Sequence, residues 1–144
     1  MNYSFGLLKP DCLKRGIEKD VLAEIEAAGL EIAAMKRIRL TREKIDIIWA
    51  PCVAKYFYED LLEFSMSGDS LVFIARGEDA ISRLTDLVGH YEPDLAGKET
   101  IRRRFGKSAM ENVIHSTANE ETFWAESLLF FSRPELDGLI NGGK

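Results

Sequence analysis

Between residues 100 and 115 an otherwise acidic chain gathers Arg102, Arg103, Arg104 and Lys107 just upstream of His115. Cations at that density suit a polyanion such as a nucleotide polyphosphate, because a guanidinium matches phosphate oxygens bidentately and an ammonium supplies a point charge. The same three arginines read equally as a solvated surface run. Lys9, at the end of an apolar N-terminal stretch, is a further cation next to a strand end. His115 closes the strand-like run Asn112-Val113-Ile114-His115 and precedes a helix start, whose free N–H groups and dipole favour an incoming anion. With an ordinary imidazole pKa near roughly 6.5, much of such a ring is neutral at neutral pH, so one nitrogen can attack phosphorus while the other is held by an acceptor. Glu126, in the following helix, is placed to hold it directly or through the Thr117 hydroxyl. A histidine that caps the helix or fills a core edge is the alternative. Gly106-Lys107-Ser108 looks like the end of a phosphate-binding loop, yet that motif needs glycine five positions before Gly106, and Ile101 stands there.

Composition narrows the function classes. The 144 residues carry 19 Lys plus Arg against 24 Asp plus Glu, a net charge of −5, with 46% hydrophobic residues. A chain of this size buries a core of its own, and residues 1–144 are expected to form one domain. The acidic balance excludes a general nucleic-acid binder, whose affinity comes from many Lys and Arg on phosphates. With only two cysteines and two histidines, at no zinc-ligand spacing, no protein-only transition-metal centre is expected. Cys12 and Cys52 read as free thiols of a reducing compartment. No run approaches the roughly 18 apolar residues of a membrane helix, so a soluble, cytoplasmic chain is expected.

The elements that must position these side chains follow from periodicity and punctuation. Asn2 to Lys9 predicts a strand that Pro10 stops. Leu13, Ile17, Val21, Leu22, Ile25 and Ala28 recur at three- and four-residue steps and predict one helix over 12–28, closed by Gly29. A second strand is expected over 30–40, helices over 42–50 and 56–66, and a buried strand over 70–75 from the unbroken Leu71-Val72-Phe73-Ile74. A helix over 79–88, a loop from His90 to Gly97 and a short strand ending at His115 follow. Thr117 with Glu120 fits a capping box that opens a helix running to about Phe131. The order is that of a split β-α-β unit: an α+β, ferredoxin-like sandwich, with an antiparallel four-stranded sheet covered by helices.

At these residues the sequence resembles the nucleoside diphosphate kinase family. The likeness rests on Leu8-Lys9-Pro10-Asp11, Glu63-Phe64-Ser65-Met66-Ser67-Gly68, Thr100-Ile101-Arg102 and Asn112-Val113-Ile114-His115, and it runs without gaps from about Tyr3 to Phe131. It implies a ferredoxin-like fold, usually assembled from dimers into tetramers or hexamers, and a reaction that moves the terminal phosphate of a nucleoside triphosphate to a histidine and then to a nucleoside diphosphate. On that resemblance His115 is the phosphoacceptor, Glu126 its supporting carboxylate, and Lys9, Arg102 and Asn112 hold the phosphates and sugar. Phe57 falls where a ring stacks on the base, which implies low base selectivity, and Pro93 in the loop that shapes the pocket. Magnesium is implied as a bridge between nucleotide phosphates, with no metal ligand from the protein. Several positions depart from the family pattern. Trp49 stands for a tyrosine, Lys55 for an arginine, Thr85 for a phosphate-binding arginine and Tyr91 for a phosphate-binding threonine, while Ser116-Thr117-Ala118 replaces Gly-Ser-Asp. Thr117 keeps a hydroxyl. Loss of the arginine at 85 implies weaker nucleotide binding unless Arg103 or Arg104 compensates.

Overall fold

In the computed structural model of the chain, which describes residues 1–142, the first strand is central. β1 (Tyr3–Leu8) pairs antiparallel with β3 (Ser70–Arg76) on one side and with β4 (Ile114–Ser116) on the other, and β2 (Glu31–Ile38) adds to the far edge of β3. The order is β2-β3-β1-β4. β1 and β3 are covered on both faces, which is why both read as unbroken apolar runs.

Alternate side chains of β1 go to opposite faces and build two cores. Phe5 and Leu7, level with Ile74 and Val72 of β3, lie under α3 (Arg42–Ile48), α4 (Tyr58–Ser65), α7 (Glu120–Ser127) and α8 (Arg133–Gly142), which contribute Ile45, Leu62, Phe123 and Leu136. On the other face Leu8, Phe73 and Ala75 lie under α1 (Pro10–Lys14), α2 (Glu18–Ala27), α5 (Ala80–Val88) and α6 (Ile101–Phe105), through Cys12, Val21, Leu84 and Ile101. Gly6 sits opposite Phe73, and a Cβ there would meet the Phe73 ring at 2.2 Å, so the ring occupies the space a side chain would need. The result is the expected ferredoxin-like α+β sandwich. No helix among the described residues is long and apolar enough to cross a membrane.

Two local expectations are corrected, and two segments given no element from periodicity are helical. The helix expected over 12–28 is two helices, because Gly16 takes φ +67° and turns the chain between α1 and α2 while the apolar spacing continues across the break. The basic run at 101–105 is itself a helix, capped by the Thr100 side chain, which accepts from Arg103 N–H at 3.2 Å. Thr117 does not open α7. Its N–H donates to the Phe5 carbonyl at 3.0 Å and extends the sheet, and Asn119 caps the helix in a box with Thr122. The segment after Phe131 forms helix α8 with Leu136 buried; residues 143 and 144 lie outside the described residues.

Candidate active site

The sheet edge assembles the site. β4 is only three residues long and pairs with the end of β1, Leu7 opposite His115 and Leu8 opposite Ile114, so the chain leaving β1 at Lys9 runs beside the residues leading into His115. Lys9 N–H donates to the Val113 carbonyl at 2.8 Å. Its ammonium donates to Asn112 Oδ1 at 2.8 Å and to the Met110 carbonyl at 3.2 Å, while Asn112 Nδ2 donates to the carbonyls of Tyr91 and Ala109, each at 2.9 Å. Asn112 thus ties the loop carrying Tyr91 to the Lys9 ammonium. Lys9 is 4% exposed. Burial pushes its pKa down to about 7, Arg102 adds to that by repulsion, and Asp11 and Cys52 oppose it.

His115 Nε2 lies 2.7 Å from Glu126 Oε1, and both side chains are mostly sheltered at 16% and 7% exposure. Glu126 comes from α7, whose Asn119 cap fixes its start, so the contact is direct and not through Thr117. The Thr117 hydroxyl is instead buried against Ser4 Oγ at 3.1 Å and the Phe5 backbone. A carboxylate only accepts, so Nε2 carries the proton and, in the neutral ring, Nδ1 keeps its lone pair. Nδ1 has no hydrogen-bond partner among the described residues. The Trp49 ring stands 5.3 Å from the imidazole, tilted by 57°, and 5.7 Å from Lys9 Nζ, so one indole borders both groups. Arg102 sends Nη1 to the Gly89 carbonyl at 3.0 Å and Nη2 to the Ile114 carbonyl at 2.6 Å, bracing the residue before His115. Burial lowers its pKa to about 10.

A mostly sheltered histidine with one nitrogen held and one free, with a buried lysine across the same indole and a partly buried arginine on the carbonyl before it, is an arrangement for nucleophilic attack on an anionic centre. Comparison with known proteins gives the family. A sequence model described as nucleoside diphosphate kinase matches residues 2–136. The chain belongs to the nucleoside diphosphate kinase family. A nucleoside diphosphate kinase of Neorickettsia sennetsu is 38% identical over 136 residues, 94% of this chain and 98% of that protein. That of Bradyrhizobium diazoefficiens is 38% identical over 135 residues, covering 94% and 96%. Among solved structures, the apo nucleoside diphosphate kinase of Encephalitozoon cuniculi superposes with TM-score 0.89 at 30% identity, over 94% of this chain and 92% of that one. The halophilic family member of Halobacterium salinarum, solved in complex with CDP, gives 0.87 at 28% identity, over 94% and 91%.

The structure brings Lys9, Trp49, Arg102, Asn112, His115 and Glu126 into one connected cluster. The side chains of the remaining positions singled out by family resemblance make no hydrogen bond or ion pair to it among the described residues. Lys55 is exposed in the turn before α4, and Phe57 is its half-buried cap, meeting the exposed Tyr56 edge-on at 5.4 Å. Thr85 is exposed on α5, at a cavity of about 370 Å³ shared with Asp79, Asp86, Ala118 and Glu120. Tyr91 is exposed and stacks on His90 at 4.4 Å. Arg103 and Arg104 do not take over for position 85. Arg103 donates to the carbonyls of Asp94 and Ala96, and Arg104 pairs with Glu24 across the helices. Sequence reasoning also missed Asp11 as more than part of a motif: it is buried, and its Oδ2 accepts from Val113 N–H at 3.2 Å. The only signal was its place two residues after Lys9.

Proposed function

We propose that this chain transfers the terminal phosphate of a nucleoside triphosphate to a nucleoside diphosphate through a phosphohistidine at His115. The observation that carries this reading is the ring geometry: Nε2 tied to Glu126 at 2.7 Å, Nδ1 without a partner among the described residues, and Lys9 bordering the same indole ring as the imidazole. Nδ1 forms the N–P bond as the bond from the γ-phosphorus to the bridging oxygen breaks and the diphosphate leaves. Glu126 stabilises the positive charge that the ring acquires. A second diphosphate then attacks the phosphohistidine along the same line, so one site serves donor and acceptor in turn and ping-pong kinetics follow. Lys9, Arg102 and Asn112 hold the phosphates and sugar, with Lys55, Thr85 and Tyr91 at the mouth. Trp49 walls the imidazole, Phe57 supplies a stacking face, and Thr117 anchors the strand beyond His115. Stacking on an aromatic ring is open to every base, so base selectivity is low.

Among the described residues no group of three His, Cys, Asp or Glu side chains could hold a metal ion, and the cluster around His115 is cationic. Those residues fit a magnesium ion that arrives on the nucleotide phosphates and offsets their charge, since magnesium usually takes few protein ligands. A homo-oligomer, tetramer or hexamer built from dimers, belongs to the same reading. It is supported by the unpaired edge of β2, where Met35 is 57% exposed. A cytoplasmic setting is supported by the free thiols Cys12 and Cys52.

The test is incubation with a γ-labelled nucleoside triphosphate and magnesium. Acid-labile label that is lost in His115→Ala and discharged by added nucleoside diphosphate is expected. Label that forms without discharge favours a phosphohistidine relay to another acceptor, a reading that threonine at 85 supports.

A further inference from the structure

The backbone just before His115 is wound into a form that a β-branched residue avoids. Val113 has φ +79°, and Ile114 N–H donates to the Asn112 carbonyl at 2.9 Å, which closes a three-residue γ-turn of the strained, left-handed kind. A valine there crowds its Cβ against the peptide, and such residues cost about 1–3 kcal/mol and persist only where their surroundings hold them. Both polar groups of Val113 are held by one short segment. Its carbonyl accepts from Lys9 N–H at 2.8 Å, and its N–H donates to Asp11 Oδ2 at 3.2 Å. Pro10, with its fixed φ, joins the two grips. Asp11 is 3% exposed, its Oδ1 has no hydrogen-bond partner, and burial raises its pKa against the pull of Lys9 and of the Val113 N–H. A buried carboxylate with one oxygen unsatisfied is an expensive way to fill a core. Among the described residues, its one side-chain hydrogen bond to another segment is to the strained turn.

We propose that Asp11 is a positioning residue for phosphotransfer: by gripping Val113 N–H it holds the γ-turn that aims the His115 ring. The inference rests on the reading of His115 as phosphoacceptor. Released, Val113 relaxes towards an extended φ and the peptide leading into Ile114 rotates. β4 has three residues and three pairing positions, so little of that rotation is absorbed before residue 115. Glu126 stands on a separate helix and does not follow, so the 2.7 Å contact opens.

The test is the first-order rate of acid-labile labelling of His115 in the full chain at saturating γ-labelled nucleoside triphosphate, alongside the KM for that nucleotide. Asp11→Ala is expected to slow labelling tenfold or more with KM changed less than twofold. Asp11→Asn, which keeps an acceptor oxygen, stays within threefold of the unaltered protein. Adding Val113→Gly to Asp11→Ala restores the rate to within threefold, because glycine takes φ +79° without a clamp. A packing role alone gives no such rescue. The proposal is overturned if Asp11→Ala labels at the normal rate, if KM rises in step with the loss, or if the double variant folds and stays tenfold slow. Should Asp11→Ala not fold, the double variant decides by itself. An unaltered protein that takes no label refutes the phosphoacceptor reading, which is a different result from any of these.

Discussion

Replacing Lys9 by methionine separates the charge of the site from the stability of the fold. Burial holds the Lys9 pKa at about 7, against 10.5 for a free lysine. Between those values the unfolded chain binds the extra proton, so folding stability rises with pH through that window; below it both states are charged and the fold carries the whole penalty. The span is three to four units at about 1.4 kcal/mol each, a penalty of roughly 5 kcal/mol at full extent. Lys9→Met removes it and leaves the buried Asn112 Oδ1 without its donor, which costs about 1–3 kcal/mol, whereas the half-buried Met110 carbonyl can turn to water instead. The variant is therefore expected to be more stable than the unaltered protein at pH 6 by roughly 2–4 kcal/mol, with the gap closing by up to about 1.4 kcal/mol per unit as pH rises from 7 to 9. Urea unfolding of both proteins at pH 6, 7, 8 and 9 measures this. A constant offset across that range, or a variant less stable at pH 6, refutes the reasoning. The same arithmetic applies to ligand binding: a polyphosphate restores the ammonium, so titration calorimetry at pH 8 in two buffers of different ionisation enthalpy should show uptake of close to one proton, absent in Lys9→Met.

Glu126→Ala removes the charge-assisted contact to Nε2, and bonds of that class are worth about 1.5–3 kcal/mol, so labelling of His115 should slow by roughly 10- to 150-fold with little change in nucleotide KM. Thr85→Arg returns a cation to the exposed face of α5 and should lower the KM for nucleoside triphosphate three- to tenfold, the acidic neighbours Asp86 and Glu120 limiting the gain; an unchanged KM refutes it. Gly6→Ala places a methyl group 2.2 Å from the Phe73 ring and should cost about 1–3 kcal/mol, read as a lower urea midpoint at constant slope.

What the sequence disclosed depended on whether a signal was local. Leu71-Val72-Phe73-Ile74 has no reading but a strand buried on both faces, and it is one. The spacing of Leu13, Ile17 and Val21 ran straight through Gly16, because two helices packed on one face of a sheet share an apolar phase even where the backbone turns between them. Thr117-x-x-Glu120 and Asn119-x-x-Thr122 are both local cap patterns; the carbonyl of Phe5, more than a hundred residues away, draws Thr117 into the sheet and leaves the cap to Asn119. In the site, Lys9, His115 and Glu126 were legible because their chemistry is written in their types, whereas Asn112 was singled out only through the family resemblance. The direction of Arg103 and Arg104 was not, since a five-residue helix decides it, and neither was the grip of Asp11 on Val113, which exists only through the β1–β4 register.

The two halves of the site stand at different distances from readiness. On the proposed reading the nucleophile is set: His115 already has Nε2 on Glu126, Nδ1 has no partner among the described residues, and no donor must be exchanged before attack. The cations are internally satisfied. Lys9 is bonded to Asn112 and the Met110 carbonyl, and Arg102 to the carbonyls of Gly89 and Ile114. If these two cations hold the phosphates, as proposed, a nucleotide must exchange their present partners for phosphate oxygens, and an exchange of partners is worth far less than a new bond. Lys55 offers a cation with no hydrogen bond or ion pair among the described residues, whereas Thr85 offers a hydroxyl where a guanidinium would have added both charge and donors. Substitutions at 55 and 85 should consequently fall on KM, and those at 11, 115 and 126 on the rate of labelling. The division is physical: what meets the phosphates competes with contacts the empty site already makes, and what aims the imidazole is finished before the substrate arrives.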